Sequence, residues 1–240
     1  MERVKNIIDR PSPNHDARPD GTAIDILLLH YTGMQSAEAA LDRLTDPSAK
    51  VSAHYLIDED GCCYRMVDES RRAWHAGVAS WHGETDINAR SIGIELVNPG
   101  HEFGYRPFPG LQMDSLINLA TAILARHPFP ASRVLAHSDV APDRKEDPGE
   151  LFDWENLSRS GIGIWPADAP STIEIMDFSD AMRLLAEIGY AAPADTVMSQ
   201  SARSVLLAFQ RRWLPRGLTG ALTPETAARI RDVHSKIISA

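Results

Sequence analysis

The chain has 240 residues, of which 43% are hydrophobic and 24% are charged, and its net charge is −9. This composition is ordinary for a globular protein, and no run approaches the roughly 18 apolar residues that a membrane span needs. The acidic balance argues against a nucleic-acid-binding surface and against a polybasic membrane anchor. Residues 1–170 hold 16 basic against 26 acidic residues, whereas the remainder holds eight against seven. This shift indicates a boundary near residue 170.

Two features bear on the compartment. The first ten residues carry charges where a signal peptide would need a continuous apolar core, which predicts a cytoplasmic protein; a periplasmic or cell-envelope location is the alternative. The only cysteines, Cys62 and Cys63, are adjacent, and neighbours on an extended strand point to opposite faces. We therefore expect two free thiols.

The N-terminal half alternates between short apolar runs and turns. Residues 1–22 are rich in Pro, Asn, Asp and Gly and predict a surface arm without apolar periodicity. The apolar run 24–30 is typical of a buried central strand that ends on a polar residue. A helix is predicted at 36–44. An Asp-Gly turn within 54–67 predicts a β-hairpin, and a further strand is expected at 92–97.

The second half continues this alternation and then becomes helical. A helix is predicted at 113–127 and a strand at 134–137, so that residues 23–160 read as an α/β domain with a mixed central β-sheet flanked by helices. Residues 161–176 have the composition of a linker. The segment 177–240 predicts a small three-helix bundle, with helices at 178–188, 201–213 and 224–237.

Two of the predicted strands end in a histidine, His30 and His137, and Asp147 follows ten residues after the second. Catalytic zinc commonly takes three protein ligands from imidazole and carboxylate groups and keeps one position open. Two histidines and one aspartate would form such a site. Taken alone, a histidine at a strand end is more often a hydrogen-bonded structural residue than a metal ligand.

Four motifs occur in order between about Ile24 and Asp153. They are the strand ending at His30, the hairpin segment 51–58 (VSAHYLID), the strand 91–95 (SIGIE), and His137 followed by Asp147-Pro148-Gly149. Together they resemble the zinc N-acetylmuramoyl-L-alanine amidases of the type 2 amidase family, which includes phage T7 lysozyme and the animal peptidoglycan recognition proteins. The resemblance implies one Zn²⁺ per chain, held by His30, His137 and Asp147.

Two departures place the chain within that family. The phage enzyme and the animal proteins carry Cys as the third ligand and Tyr before the hairpin histidine, whereas this chain has Asp147 and Ala53. Asp resembles the bacterial branch, whose central-strand Glu corresponds to Glu95. The resemblance implies that Glu95 is a general base and that Lys145 stabilises the oxyanion. An exposed strand carboxylate and a solvated loop lysine are the alternatives.

Further residues border the groove that the resemblance implies. Aromatic and polar groups there could receive the muramoyl ring and the peptide, and an arginine could pair with a stem-peptide carboxylate. Taken alone, these residues are better explained by core packing, as for Trp74, or by surface exposure, as for Arg90. The predicted substrate-binding residues are His54, Trp74, His75, Arg90 and Asn98.

The C-terminal segment has its own resemblance. Residues 204–213 (SVLLAFQRRW) and 220–226 (GALTPET) resemble the small peptidoglycan-binding domain that often follows such amidases. Its implied role is to hold the enzyme on polymer, which raises effective concentration.

The implied activity is hydrolysis of the amide between N-acetylmuramic acid, or its 1,6-anhydro form, and L-alanine, with peptidoglycan or anhydromuropeptides as substrate. A non-catalytic peptidoglycan receptor on the same fold is the alternative. A thiol hydrolase using Cys62 or Cys63 is disfavoured, because both lie on a hairpin strand without an assignable partner. No oligomeric state is predicted.

Overall fold

The computed structural model describes residues 7–166 and 175–239. Residues 1–6 of the predicted arm and 167–174 of the predicted linker lie outside the described residues. The strands are β1 Ile7–Asp9, β2 His15–Ala17, β3 Ile26–Tyr31, β4 Tyr55–Ile57, β5 Cys63–Arg65, β6 Arg71–Ala73, β7 Ser91–Leu96 and β8 Val134–Ala136. The helices are α1 Ala37–Thr45, α2 Ile87–Arg90, α3 Gly100–Phe103, α4 Gly110–Arg126, α5 His137–Val140, α6 Trp154–Arg159, α7 Phe178–Ile188, α8 Gln200–Trp213 and α9 Pro224–Ile238.

The central sheet has six strands in the order β1-β5-β4-β7-β3-β8. Strands β4, β7, β3 and β8 run parallel to one another, and β5 is antiparallel to β4. This arrangement confirms the predicted mixed sheet and the predicted hairpin. Both cysteines are free thiols, as expected from their adjacency. Because the carboxyl ends of parallel strands meet at one edge, the polar residues that end β3, β7 and β8 are brought together there.

Four of the described helices, α1, α6, α8 and α9, begin at a capping side chain. Ser36, the first residue of the helix predicted at 36–44, accepts a hydrogen bond from the N–H of Ala39. Ser199 caps α8 in the same way. Thr223 caps α9, whose first residue is proline. Such caps satisfy N–H groups that have no partner inside the helix.

The N-terminal arm is part of the sheet system and does more than cover the surface. Strand β1 pairs in parallel with β5 at the edge of the central sheet, and β2 pairs with β6 in a two-stranded sheet. The side chain of Arg18 then enters the interior, where it donates hydrogen bonds to the carbonyls of Asn88, Ala89 and Ser91. Three-residue strands with turns between them leave no periodicity to detect, which explains why the sequence predicted only an arm.

The two faces of the sheet carry different cores. Side chains alternate along β3, so that Leu27 and Leu29 pack with α4 and α6 on one face. Ile26 and Leu28 point to the other face, where they share a hydrophobic core with α7, α8 and α9. The C-terminal helices therefore cover the sheet directly. No helix among the described residues is both long and apolar enough to cross a membrane.

Replacing Leu185 with Ala is expected to lower the free energy of unfolding by about 2–5 kcal/mol, because this α7 side chain is fully buried in the shared core. The loss should affect the sheet and the bundle together, measured by thermal unfolding and by hydrogen exchange at β3 and α8 amides. The matched control is Leu111→Ala, since Leu111 is 63% exposed on α4 and its loss should change stability by no more than about 0.5 kcal/mol. Separate melting of the sheet and the bundle would contradict a shared core.

Candidate metal and catalytic site

Three side chains meet at the carboxyl edge of the sheet, on the face that also carries the C-terminal helices. His30 lies near the end of β3, His137 is the first residue of α5 directly after β8, and Asp147 lies on the loop that follows. All three are buried. His30 Nδ1 is 2.9 Å from His137 Nδ1 and 3.1 Å from Asp147 Oδ2, and His137 Nδ1 is 2.9 Å from the same oxygen. The residues that the sequence predicted as metal ligands are thus in mutual contact.

The tautomer of His30 follows from a chain of hydrogen bonds behind it. The hydroxyl of Ser91 donates to the carbonyl of Ile87 at 2.6 Å, so its oxygen is left to accept the Nε2–H of His75 at 3.3 Å. His75 Nδ1 is then an acceptor and receives the Nε2–H of His30 at 3.0 Å. Burial, with His137 adding to it, lowers the pKa of His30 to about 4, which keeps the ring neutral at pH 7. His30 therefore presents an unprotonated Nδ1 to the site.

His137 is oriented in the same way from the opposite side. Its Nε2 lies 3.0 Å from the carbonyl oxygen of Ala76, which can only accept, so Nε2 carries the proton. Nδ1 of His30, Nδ1 of His137 and Oδ2 of Asp147 thus converge on one point. Two imidazole nitrogens and a carboxylate oxygen in mutual contact form a donor set for a cation. The donor set and the outer hydrogen bonds fit a zinc site that keeps a position open.

His75 can occupy its place only because residue 93 is glycine. The ring lies over β7, and a Cβ on Gly93 would be 2.5 Å from Cγ of His75. This close approach explains the glycine in the SIGIE motif. His75, which the sequence predicted to bind substrate, is thus also the hydrogen-bond partner of His30.

Glu95 lies beside the three ligands. It is paired in register with His30 on the neighbouring strand, so both side chains point to the same face of the sheet. Within the part of the chain that the structure describes, its Oε2 is buried without a hydrogen-bond partner. Burial raises the pKa of Glu95 well above the usual range, and the charge of Asp147 adds to the effect while Lys145 opposes it. The alternative of an exposed strand carboxylate does not describe this side chain.

A cavity of about 360 Å³ opens above the ligands. Its walls come from β3, α1, the segment around His75, and the loop that carries Asp147. The lining includes His30, Met34, Arg43, Leu44, Val51, Trp74, His75, Glu95, His137, Lys145 and Asp147. Trp74, His75, Glu95 and Lys145 thus face the space that the sequence predicted for substrate. Met34 and Arg43 were missed, because nothing distinguishes them from ordinary side chains of α1 and the turn before it.

His54 does not reach the cavity, so the predicted substrate contact is not supported. Its side chain is fully buried behind His75, and its Nδ1 accepts a hydrogen bond from the N–H of Gly93 at 3.0 Å. Its Nε2 lies 3.1 Å from the carbonyl of Arg71, and the guanidinium of Arg18 is close by. Burial, reinforced by Arg18, lowers the pKa of His54 to about 3. His54 supports the layer beneath the site.

Arg90 and Asn98 are also turned away from the cavity. Arg90 makes a two-pronged ion pair with Asp25 at the opposite end of β3. Asn98 is fully buried, donates to the carbonyl of Arg106 and accepts from the N–H of Gly100. Both predictions of substrate contact fail for the same reason: each polar group is already satisfied by the fold.

The burial of His54 predicts a specific acid sensitivity. The unfolded chain titrates near 6.5 and the folded ring near 3, so the unfolded state binds more protons between these values, and stability is lost as the pH falls below 6.5. His54→Gln keeps a donor for the Arg71 carbonyl but cannot titrate. Urea unfolding between about pH 5.5 and 4, where the unfolded ring is protonated and the folded ring is not, should show a slope shallower than wild type by about 1.4 kcal/mol per pH unit. Equal slopes in both proteins would contradict this account.

Comparisons with known proteins agree with this geometry. Residues 20–150 match the protein family described as N-acetylmuramoyl-L-alanine amidase. The chain is 36% identical to the N-acetylmuramoyl-L-alanine amidase AmiD of Escherichia coli (strain K12) over 250 residues, which cover 93% of this chain and 88% of that protein. It is 34% identical to the 1,6-anhydro-N-acetylmuramyl-L-alanine amidase AmpD of Enterobacter cloacae over 164 residues, covering 61% of this chain and 86% of that protein.

Solved structures of two amidases are similar to this chain in fold and in sequence. The complex of AmiD from E. coli with anhydro-N-acetylmuramic acid-L-Ala-D-gamma-Glu-L-Lys has a TM-score of 0.79 at 35% identity, covering 91% of this chain and 92% of that chain. AmpDh3 from Pseudomonas aeruginosa in complex with anhydromuramic pentapeptide has a TM-score of 0.82 at 34% identity, covering 91% and 94%. With the motifs, the fold and the converging side chains, these matches show that the chain belongs to the N-acetylmuramoyl-L-alanine amidase family.

Proposed function

We propose that this protein is a zinc-dependent amidase that hydrolyses the amide between N-acetylmuramic acid, or its 1,6-anhydro form, and L-alanine. The observation that carries the proposal is the convergence of three electron-pair donors beside a buried carboxylate at the floor of a cavity. Relatives of the chain have been solved with anhydromuropeptides bound, which supports the same class of substrate.

His30, His137 and Asp147 are proposed to hold the zinc. When bound there, zinc would supply a Lewis acid that polarises a carbonyl and lowers the pKa of a water molecule. The chain contributes a site whose ligands are already oriented. The Ser91–His75 chain holds His30, and the Ala76 carbonyl holds His137, so neither imidazole must change its tautomer when the metal binds.

Glu95 is proposed as the general base. Its carboxylate would take the proton of the attacking water and then deliver it to the leaving amine of L-alanine. Because burial disfavours the charged form, the raised pKa of Glu95 favours the second transfer and opposes the first. The positive charge of zinc, when bound beside it, would favour the carboxylate that the first transfer needs.

Lys145 and three other groups in the cavity are assigned to the substrate. The ammonium of Lys145 would stabilise the oxyanion that develops as the amide carbonyl is attacked. Trp74 and His75 remain the proposed contacts for the sugar and peptide, His75 through its ring surface because both of its nitrogens are paired with His30 and Ser91. Arg43 on α1 takes over the role first given to Arg90, because it lines the cavity and could pair with a carboxylate of the stem peptide.

Three further predictions are retained as proposals. The domain limits at 22, 160 and 176, and a polymer-binding role for residues 177–240, are retained as proposals on the strength of the sequence resemblance. The cytoplasmic location also stays a prediction, with the periplasm or cell envelope as the alternative. Fractionation of cells that express the full-length protein would decide between the compartments.

The purified protein is expected to release peptide from anhydromuropeptide, and a strong chelator should abolish the release because the three ligands are otherwise left without a cation. Added Zn²⁺ should restore it. Product formation is measured by chromatography on anhydromuropeptide and on intact sacculi in parallel. Binding without any cleavage would contradict the proposal and favour the peptidoglycan receptor.

Glu95→Gln is expected to bind zinc as well as wild type and to lose at least about 10²-fold in turnover, because the amide keeps the shape but cannot accept the proton. Metal content and turnover are measured on the same preparation. The matched control is Glu102→Gln, an exposed α3 carboxylate whose loss should leave turnover unchanged. Near-normal turnover of Glu95→Gln would remove this residue from the mechanism.

A further inference from the structure

Two consecutive arginines at the end of α8 reach out of the C-terminal bundle toward the metal-binding segments. Arg211 and Arg212 are 7% and 2% exposed, although arginine is rarely buried. Neither belongs to the cavity or touches a proposed ligand directly. Their partners lie beside two of the three ligands.

Arg212 binds the segment that carries His137. Its Nη1 donates to Oδ2 of Asp139, which is fully buried and lies two residues after His137 within α5. The same oxygen accepts from the N–H of Ala136 at 2.9 Å, and Oδ1 accepts from the hydroxyl of Tyr190 at 2.7 Å. The Asp139 carboxylate therefore joins the end of β8 and the start of α5 to the bundle.

The guanidinium of Arg212 is held from several sides. Its Nη2 donates to the carbonyl of Val134 at 2.9 Å, which ties it to the beginning of β8. It also lies over the ring of Trp154 at 4.1 Å from the centroid and over the ring of Trp213 at 4.3 Å. A planar group with several donors fits this place, and a lysine could not make the same set of contacts.

Arg211 reaches the segment that carries the third ligand. Its Nη2 lies 3.0 Å from Oε1 of Glu146, the residue immediately before Asp147, and its Nε lies 3.5 Å from Glu150. The N–H of Ser138 donates to the carbonyl of Asp147 at 3.0 Å. This bond connects the segment of His137 to the segment of Asp147. The two arginines therefore bind two connected segments, each of which presents one ligand.

We propose that Arg211 and Arg212 are positioning residues for the metal site, so that the C-terminal bundle helps to set the geometry of His137 and Asp147. The inference rests on the metal site proposed above. Without Arg212, the Asp139 carboxylate would be buried without its cation. Turning toward water would then break its hydrogen bond to the N–H of Ala136, next to His137. Residues that orient ligands from behind commonly affect metal affinity by 10- to 100-fold.

If these arginines only stabilise the fold, their variants should bind zinc no more weakly than any other variant that lowers the free energy of unfolding by the same amount. The two roles are separated by comparing metal affinity between folded variants of matched stability. The control is Leu206→Ala, which removes a fully buried side chain of the same helix without touching the arginine contacts.

The full-length protein is titrated with Zn²⁺ against a chromophoric chelator, at a temperature where circular dichroism shows every variant to be folded. Arg212→Met is expected to bind zinc about 10- to 100-fold more weakly than wild type, and Arg212→Lys to fall between the two. The visible absorption of bound Co²⁺ should shift in Arg212→Met, because the ligand geometry changes. Leu206→Ala should match wild type in both measurements.

Asp139→Asn tests whether Arg212 acts through Asp139. If it does, Asp139→Asn combined with Arg212→Met should bind zinc no more weakly than the worse single variant. If the losses of zinc affinity in the two single variants add fully in the double variant, Arg212 does not act through Asp139.

Unchanged zinc affinity in Arg212→Met, or an equal loss in Leu206→Ala, would overturn the proposal. If Arg212→Met does not fold, Arg211→Gln replaces it in the comparison, because the partner of Arg211, Glu146, is exposed. Unchanged zinc affinity in Arg211→Gln would then overturn the proposal. Wild-type protein that binds no zinc would refute the proposed metal site itself. Wild type that binds zinc alongside an unaffected variant would refute only the positioning role.

Discussion

Three potential metal-ligand atoms in mutual contact set the constraint that the surrounding layers of the fold serve. Two imidazole nitrogens and one carboxylate oxygen point at a common centre, and the groups behind the two rings accept the proton on the far side of each. Leaving such atoms together without a cation is costly in a buried, low-dielectric place. The fold must therefore force His30, His137 and Asp147 into contact. The parallel strands do so, because the ends of β3 and β8 meet at one edge whatever lies between them in sequence.

Successive layers behind the ligands serve this constraint. Ser91 fixes the ring of His75, which fixes His30, and Gly93 leaves the space that the His75 ring needs. His54 supports that layer and carries no free polar atom toward the cavity. Several histidines that look alike in the sequence thus act at different depths. Only those at the edge of the sheet can contribute an electron pair to the centre.

The C-terminal helices take part in the same arrangement. They cover the face of the sheet on which the ligands lie, and they share a core with Ile26 and Leu28 of β3. A bundle of roughly 65 residues would be marginal alone, and packing on a strongly apolar face resolves that difficulty. Through Arg211 and Arg212 the same helices reach the backbone that presents two of the ligands. A segment that resembles a polymer-binding module can in this way stabilise the catalytic half as well.

Local sequence patterns specify the secondary-structure elements of this protein and the chemistry of its candidate site. Apolar strand runs, capping residues and the Asp-Gly turn specify elements through contacts between near neighbours, and the spacing of His30, His137 and Asp147 within a family pattern identified the residues that converge. Which polar groups remain available to a substrate depends on how the elements pack together in three dimensions. Arg90 and Asn98 were plausible contacts until the fold supplied partners that satisfy them, and Arg43 gained its place because α1 packs beside the cavity. Exposure and hydrogen-bond saturation depend on residues distant in the chain, and no local pattern encodes them.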